Sequence, residues 1–216
     1  MQVIEALVLR SAEPNAARWF EDHIETKGVS ATRFRAAFAG AGRRLGESAP
    51  QLQGSDAAQL EHAGVAAPAQ WTLPTFARAA FLLRTLHALP PGEHVEFVRE
   101  VYRRGDFLEQ AALLQTLMLI PDPARFVNIA VESCRTNVRD VFEAIACENR
   151  YPATYFADAN FNQLVIKAFF TGVAVERIVG LERRKSDELR RMAADYASER
   201  RAAGRAVPND LDLVLS

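Results

Sequence analysis

Long apolar runs are scarce in this chain. The longest, around Leu113–Pro121 and Leu164–Phe170, fall well short of the about 18 residues a membrane span needs, so none is expected. The stretch MQVIEALVLRSAE at the amino terminus carries Glu5 among its apolar residues and has no basic leader. It does not read as a signal peptide. Excess charge of one sign is also missing. The formal net charge is −1 over 216 residues, which leaves no global field to favour nucleic acid or an anionic membrane. Only two cysteines occur, Cys134 and Cys147. Both lie in apolar helical text and are expected to be free, reduced and buried. A cytoplasmic location is the default expectation.

Motifs of catalysis are equally thin. His23, His62, His87 and His94 fall outside Glu-x-x-His and His-Glu-x-x-His spacings, so no metal site is expected. A Gly-x-x-x-x-Gly-Lys-Ser/Thr loop is absent, Gly40-Ala41-Gly42 is too short for a phosphate fingerprint, and no Gly-x-Ser-x-Gly elbow occurs. An aspartate-rich magnesium cluster of the isoprenoid-enzyme type is missing as well. No cofactor is expected. Arg103-Arg104 and Arg183-Arg184-Lys185 read as solvated helix ends that suit the dipole there. Nucleic-acid binding needs a longer basic face with aromatic platforms, and is not expected.

Helical text is what the chain does have. The apolar period predicts helices over Ala16–Thr26, Ala31–Leu45 and Phe76–Leu89, the last stopping at Pro90-Pro91. Asp106 with Glu109 three residues on resembles a capping box opening Phe107–Ile120. Asp122 before Pro123 predicts a start for Ala124–Arg135. Asp158 is expected to cap Ala159–Thr171, with Gly172 as its stop. Ser186 opens a long helix ending near Gly204, with Leu189, Met192, Ala193 and Tyr196 on its buried stripe. The fold class is therefore all-α, with about eight to ten helices counted from stop signals. Turns roughly every 15 residues suggest antiparallel helical hairpins stacked as a solenoid-like array. The expected organisation is a single all-α domain over 1–205, with a mobile loop around 46–70 that holds one short helix, Asp56–Ala63. Residues 206–216 are expected to form an extended tail whose alternating Leu211, Leu213 and Leu215 dock on a groove.

One stretch concentrates the unusual polar residues, Cys147–Gly172. Its helical half reads as core yet carries Asn160, Asn162, Gln163 and Lys167. Burying an amide without a partner costs about 2–7 kcal/mol, so these groups must be satisfied inside the fold or line a binding surface. On a helix from Ala159, Asn160, Gln163 and Lys167 fall at i, i+3 and i+7, on one stripe, with Asn162 nearer the apolar face. Upstream, Glu148, Asn149 and Tyr155 occupy a turn-rich segment broken by Pro152. Two readings stay open. In one, Glu148 and Asn149 cap a helix end, Asn162 satisfies a buried backbone group, and Lys167 is exposed or paired. In the other, these residues form a polar pocket in an apolar wall that holds a small polar or amphipathic ligand. A catalytic form of the second uses Lys167 and Glu148 as an acid–base pair.

The same residues carry a family resemblance. Cys147-Glu148-Asn149-x-Tyr151-Pro152 is followed by Phe161-Asn162-Gln163-x-Val165-Ile166-Lys167-Ala168-x-Phe170-x-Gly172 and Arg177-Ile178-x-Gly180-Leu181. Together with the final helix, Glu188-Leu189-Arg190-Arg191-Met192 through Arg205, this pattern resembles the EboA family of bacterial proteins over about Gly105–Arg205. The resemblance implies a place in gene clusters tied to traffic or processing of a secondary metabolite, beside a prenyltransferase-like membrane protein and proteins taken to be enzymes. It supplies no catalytic residues: Glu148, Asn149, Phe161, Asn162, Gln163 and Lys167 carry over as motif positions without a role. The expected function is a non-catalytic accessory protein binding a metabolite or pathway partner to support biosynthesis or export. The alternatives are a pathway enzyme and a pure protein-binding scaffold. Oligomeric state is not fixed by the sequence.

Overall fold

A computed structural model describes residues 1–24, 31–46 and 49–216. Among them fourteen α-helices form, joined by short 3-10 turns, and no β-strand occurs. The chain divides into two compact units, Met1–Phe126 and Val127–Ser216.

The first unit holds α1 (Gln2–Ser11), α2 (Pro14–Ile24), α3 (Ala31–Leu45), α4 (Asp56–Ala63), α5 (Leu73–Ala88), α6 (His94–Arg104) and α7 (Phe107–Thr116). Helix α5 is its hub and packs against α1, α2, α3 and α7. The sequence explains this: α5 has no polar face, and every residue from Leu73 to Ala88 is buried except Arg84, His87 and Ala88. A helix apolar all round must be enclosed by neighbours. Ala77, Ala79 and Ala80 let those neighbours come close, while Phe81 meets Trp19 edge-on at 5.9 Å and Phe20 at 5.1 Å. The buried Arg78 donates from Nε to the Phe38 carbonyl at 3.1 Å, and burial lowers its basicity. Thr72 caps the helix by accepting from the Thr75 N–H, so α5 starts a turn before the predicted Phe76.

The second unit holds α8 (Val127–Ser133), α9 (Arg139–Ala146), α10 (Tyr151–Tyr155), α11 (Asp158–Thr171), α12 (Leu181–Arg184), α13 (Asp187–Ala202) and α14 (Asp212–Leu215). Here α11 packs on α9 and α13, α9 also meets α8 and α10, and α14 lies on α13. Ser186 caps α13 as expected, accepting from the Leu189 N–H at 3.1 Å. Gly172 ends α11 with φ +68, and the Val173 N–H reaches back to the Ala168 carbonyl at 2.9 Å.

Several expectations change. The helix count exceeds eight to ten in large part because α10, α12 and α14 are single turns, too short to display a 3.6-residue period. The predicted Ala124–Arg135 helix is α-helical only over Val127–Ser133 and is preceded by a 3-10 turn, Pro123–Phe126; Asp122 sits at φ +50, outside the extended N-cap conformation. Asp158 lies in the first turn of α11 instead of capping it, and pairs with Arg184 at 2.9 Å. The tail is not extended. It forms a 3-10 turn, Asn209–Leu211, and then α14, because Leu211 and Val214 are buried and Asp210 accepts from the Val175 N–H at 3.0 Å. The short helix Asp56–Ala63 forms as predicted. Glu25 and Thr26, at the end of one predicted helix, and Glu47 and Ser48, in the predicted loop, lie outside the described residues.

Candidate functional site

Helix α11 presents two faces. Phe161, Leu164, Val165, Ala168 and Phe169 enter the core together with Asn162, which is 2% exposed. Its Nδ2 donates to Ser186 Oγ at 3.3 Å, tying α11 to the cap of α13, and its Oδ1 has no partner among the described residues. Asn162 is a fold residue, held where α13 begins.

Lys167 is also enlisted by the fold. Its Nζ donates to the Cys134 carbonyl at 2.6 Å and to the Thr136 carbonyl, and lies 4.9 Å from the centre of the Phe142 ring. These carbonyls follow the end of α8, where a helix leaves acceptors unsatisfied and favours a cation. The side chain therefore braces α11 against the α8–α9 turn. Burial pushes the Cys134 thiol up to about 12 against the opposing pull of Lys167, and likewise holds the Cys147 thiol at about 12. Both cysteines are free, Cys147 buried and Cys134 half-buried, and at neutral pH both are thiols, not nucleophilic thiolates.

Glu148 belongs to a different cluster. Arg177 grips it with two hydrogen bonds of 2.9 Å and reaches Glu143 at 2.6 Å, while Arg139 holds the other Glu143 oxygen at 2.6 Å. The Glu148 N–H also donates to the Arg177 carbonyl at 2.9 Å, so a residue at φ +45 is clamped from both backbone and side chain. Burial alone would raise the Glu143 carboxyl, but hydrogen bonds from Arg177 and Arg139 outweigh it and hold the carboxyl below its ordinary value. The folded-state pKa being the lower one, this contribution is complete above the unfolded glutamate value of about 4.3 and is lost as pH falls through the folded value. The melting temperature should therefore fall on acidification from about pH 5 to about pH 3, and less steeply in Arg177→Met. Circular dichroism melts across that range check this, and parallel curves for the two proteins would reject it.

Asn149 is buried and structural: its Nδ2 donates to the Ala144 carbonyl at 2.9 Å, and its Oδ1 accepts from the Tyr151 N–H at 2.9 Å. Tyr155 rests its ring on Tyr151, with centroids 4.9 Å apart.

What remains of the polar stripe is brought together. Asn160, Gln163 and Lys167 line one cleft of about 160 Å³, joined by Cys134 and Arg135, with an apolar wall of Val131, Phe156 and Leu164. Glu148, Asn149, Tyr155 and Asn162 are not part of its lining. Among the described residues Lys167 and Glu148 share no hydrogen-bonding partner: the Cys134 and Thr136 carbonyls engage the first and Arg177 the second. Arg135 and Phe156 were missed by sequence reasoning. The stripe of α11 was visible from its spacing, but its facing wall comes from residues about one helical hairpin earlier, which only the packing brings near.

These features define a class: an all-helical protein with a small polar cleft on one helix. The chain matches the family model described as metabolite traffic protein EboA over residues 1–215, well beyond the stretch that carried the sequence resemblance, and it belongs to that family. No curated protein matches it, and no solved structure does. Among the described residues no helix is long and apolar enough to cross a membrane.

Proposed function

We propose that this protein is a non-catalytic, cytoplasmic accessory protein that binds a secondary metabolite, and through it supports biosynthesis or export in a bacterial pathway. The observation that carries this reading is the cleft on α11, where Asn160 and Gln163 make no side-chain hydrogen bond to the protein among the described residues. Amides left free beside an apolar wall suit recognition of a small molecule with both characters. The family description, metabolite traffic, agrees with it. Stacked antiparallel hairpins belong to the same proposal, supported by packing between chain neighbours: α1 on α2, α2 on α3, α6 on α7, α8 on α9.

The enzyme reading loses support from the separate engagements of Lys167 and Glu148. For the scaffold reading the tail is divided: Leu211 and Val214 face inward, while Leu213 and Leu215 stay exposed.

Native mass spectrometry of the protein purified from cells carrying its gene neighbourhood tests the proposal. A reproducible small-molecule adduct is expected, and it should be lost in Asn160→Leu/Gln163→Leu, which alters groups without structural partners. A bare mass, or an adduct indifferent to both substitutions, would move the assignment to a protein-binding scaffold.

A further inference from the structure

The charge of the cleft narrows the kind of molecule it takes. Two cations line it, Arg135 and Lys167, and no aspartate or glutamate does. Several other arginines of the same unit are matched to carboxylates: Arg177 to Glu143 and Glu148, Arg184 to Asp158, Arg191 to Glu188 and Asp195. Arg135 and Lys167 have no carboxylate within ion-pair distance among the described residues. The two carbonyls on Lys167 hold its ammonium in place, but as neutral dipoles they leave its formal charge uncompensated, and they use two of its three protons. The cleft therefore offers one fixed cation, one exposed guanidinium free to close over a ligand, and two unengaged side-chain amides.

Size limits the part of a ligand that fits. At about 160 Å³ the cleft is smaller than the roughly 300–1,000 Å³ of a pocket that encloses a whole drug-sized molecule. It has room for one head group and a few carbons against Val131, Phe156 and Leu164. A guanidinium matches the planar, bidentate geometry of a carboxylate or phosphate, and charge-assisted bonds of this kind are about twice as strong as neutral ones.

We infer that the cleft on α11 recognises the anionic head group, carboxylate or phosphate, of an amphipathic small molecule, with Arg135 as the clamp and Lys167 as the fixed charge. This rests on the metabolite-binding reading and adds the sign and placement of the ligand's charge.

The test follows the side-chain amide signals of Asn160 and Gln163 by nuclear magnetic resonance in the intact protein, during titration with benzoate, phenyl phosphate and the neutral benzyl alcohol. Saturable shifts are expected with at least one anion and not with the alcohol. Whichever anion acts at lower concentration identifies the head group as carboxylate or phosphate. Arg135→Gln, an exposed position that leaves the fold intact, should weaken anion binding at least tenfold. Shifts of equal size with benzyl alcohol, an unaltered response in Arg135→Gln, or no saturable shift with either anion overturns the inference. The adduct seen in native mass spectrometry is judged separately: a neutral adduct removed by Asn160→Leu/Gln163→Leu sinks the anionic assignment while the metabolite-binding reading stands.

Discussion

Gly180→Ala should destabilise the second unit by about 3 kcal/mol, from a left-handed backbone penalty of roughly 1–2 and an overpacking term of similar size. Gly180 sits at φ +80, and a Cβ there would stand 2.7 Å from the Cβ of Ala153. Its neighbours leave it no retreat. The Gly180 carbonyl accepts from the N–H groups of Arg183 and Arg184, each at 3.1 Å, opening α12. Arg184 then reaches across to the carbonyls of Ala153 and Phe156, both at 2.8 Å, and pulls α12 onto the end of α10. In a chain of this length the loss corresponds to a melting temperature lower by about 6–12 °C. Ala153→Gly in the same protein removes the Cβ–Cβ conflict but not the backbone penalty. The double variant should therefore be more stable than the two single losses predict, by about 1–2 kcal/mol. Strict additivity in thermal or urea melts would show that the close approach is not the cause.

Lys167→Met should cost about 3 kcal/mol, since hydrogen bonds from a charged group contribute about 1.5–3 kcal/mol each and the ring contact roughly 1 more, offset in part by rehydration of the half-buried carbonyls. The loss should be seen in thermal stability, because the ammonium joins α11 to Cys134 and Thr136. Phe142→Leu keeps the two carbonyl contacts but, at a buried position, removes core packing together with the aromatic face. If Lys167→Met melted with the unaltered protein, the two carbonyl contacts would carry no weight and Lys167 would be free for chemistry. Raised flexibility of the Cys134–Thr136 turn, read as faster amide exchange there, would accompany the expected outcome.

Those two residues also mark how far the sequence could be read. Helix α3 over Ala31–Leu45 and α4 over Asp56–Ala63 match their predicted bounds, and Asp106 and Ser186 cap as expected. Each depends on local periodicity or on a side chain reaching three residues along its own chain. The one-turn helices α10, α12 and α14 were not legible, because what holds them is distant: Arg184 on α10, and Asp210 at the Val175 N–H. The polar stripe of Asn160, Gln163 and Lys167 was likewise local and was found. Which of the unusual polar residues would be spent on the fold was not, since the acceptors for Lys167 lie 31 and 33 residues away and the Asn162 partner 24. A sequence shows that a buried amide or ammonium needs a partner. It does not say which carbonyl will provide it.

The enclosed hub of the first unit sets an order of events at the ribosome. Helices α1, α2 and α3 are made before α5, and their inward residues, among them Leu7, Phe20 and Phe38, have no α5 to cover them until it emerges. Helix α1 is complete at Ser11 and α5 only at Ala88, so at about 5–20 residues per second those side chains wait roughly 4–15 s for cover. Arrested nascent chains ending before Leu73 should accordingly recruit chaperones that recognise apolar segments, and chains released well past Ala88 should shed them. A dilution-refolding experiment, with every helix present from the start, never samples that interval.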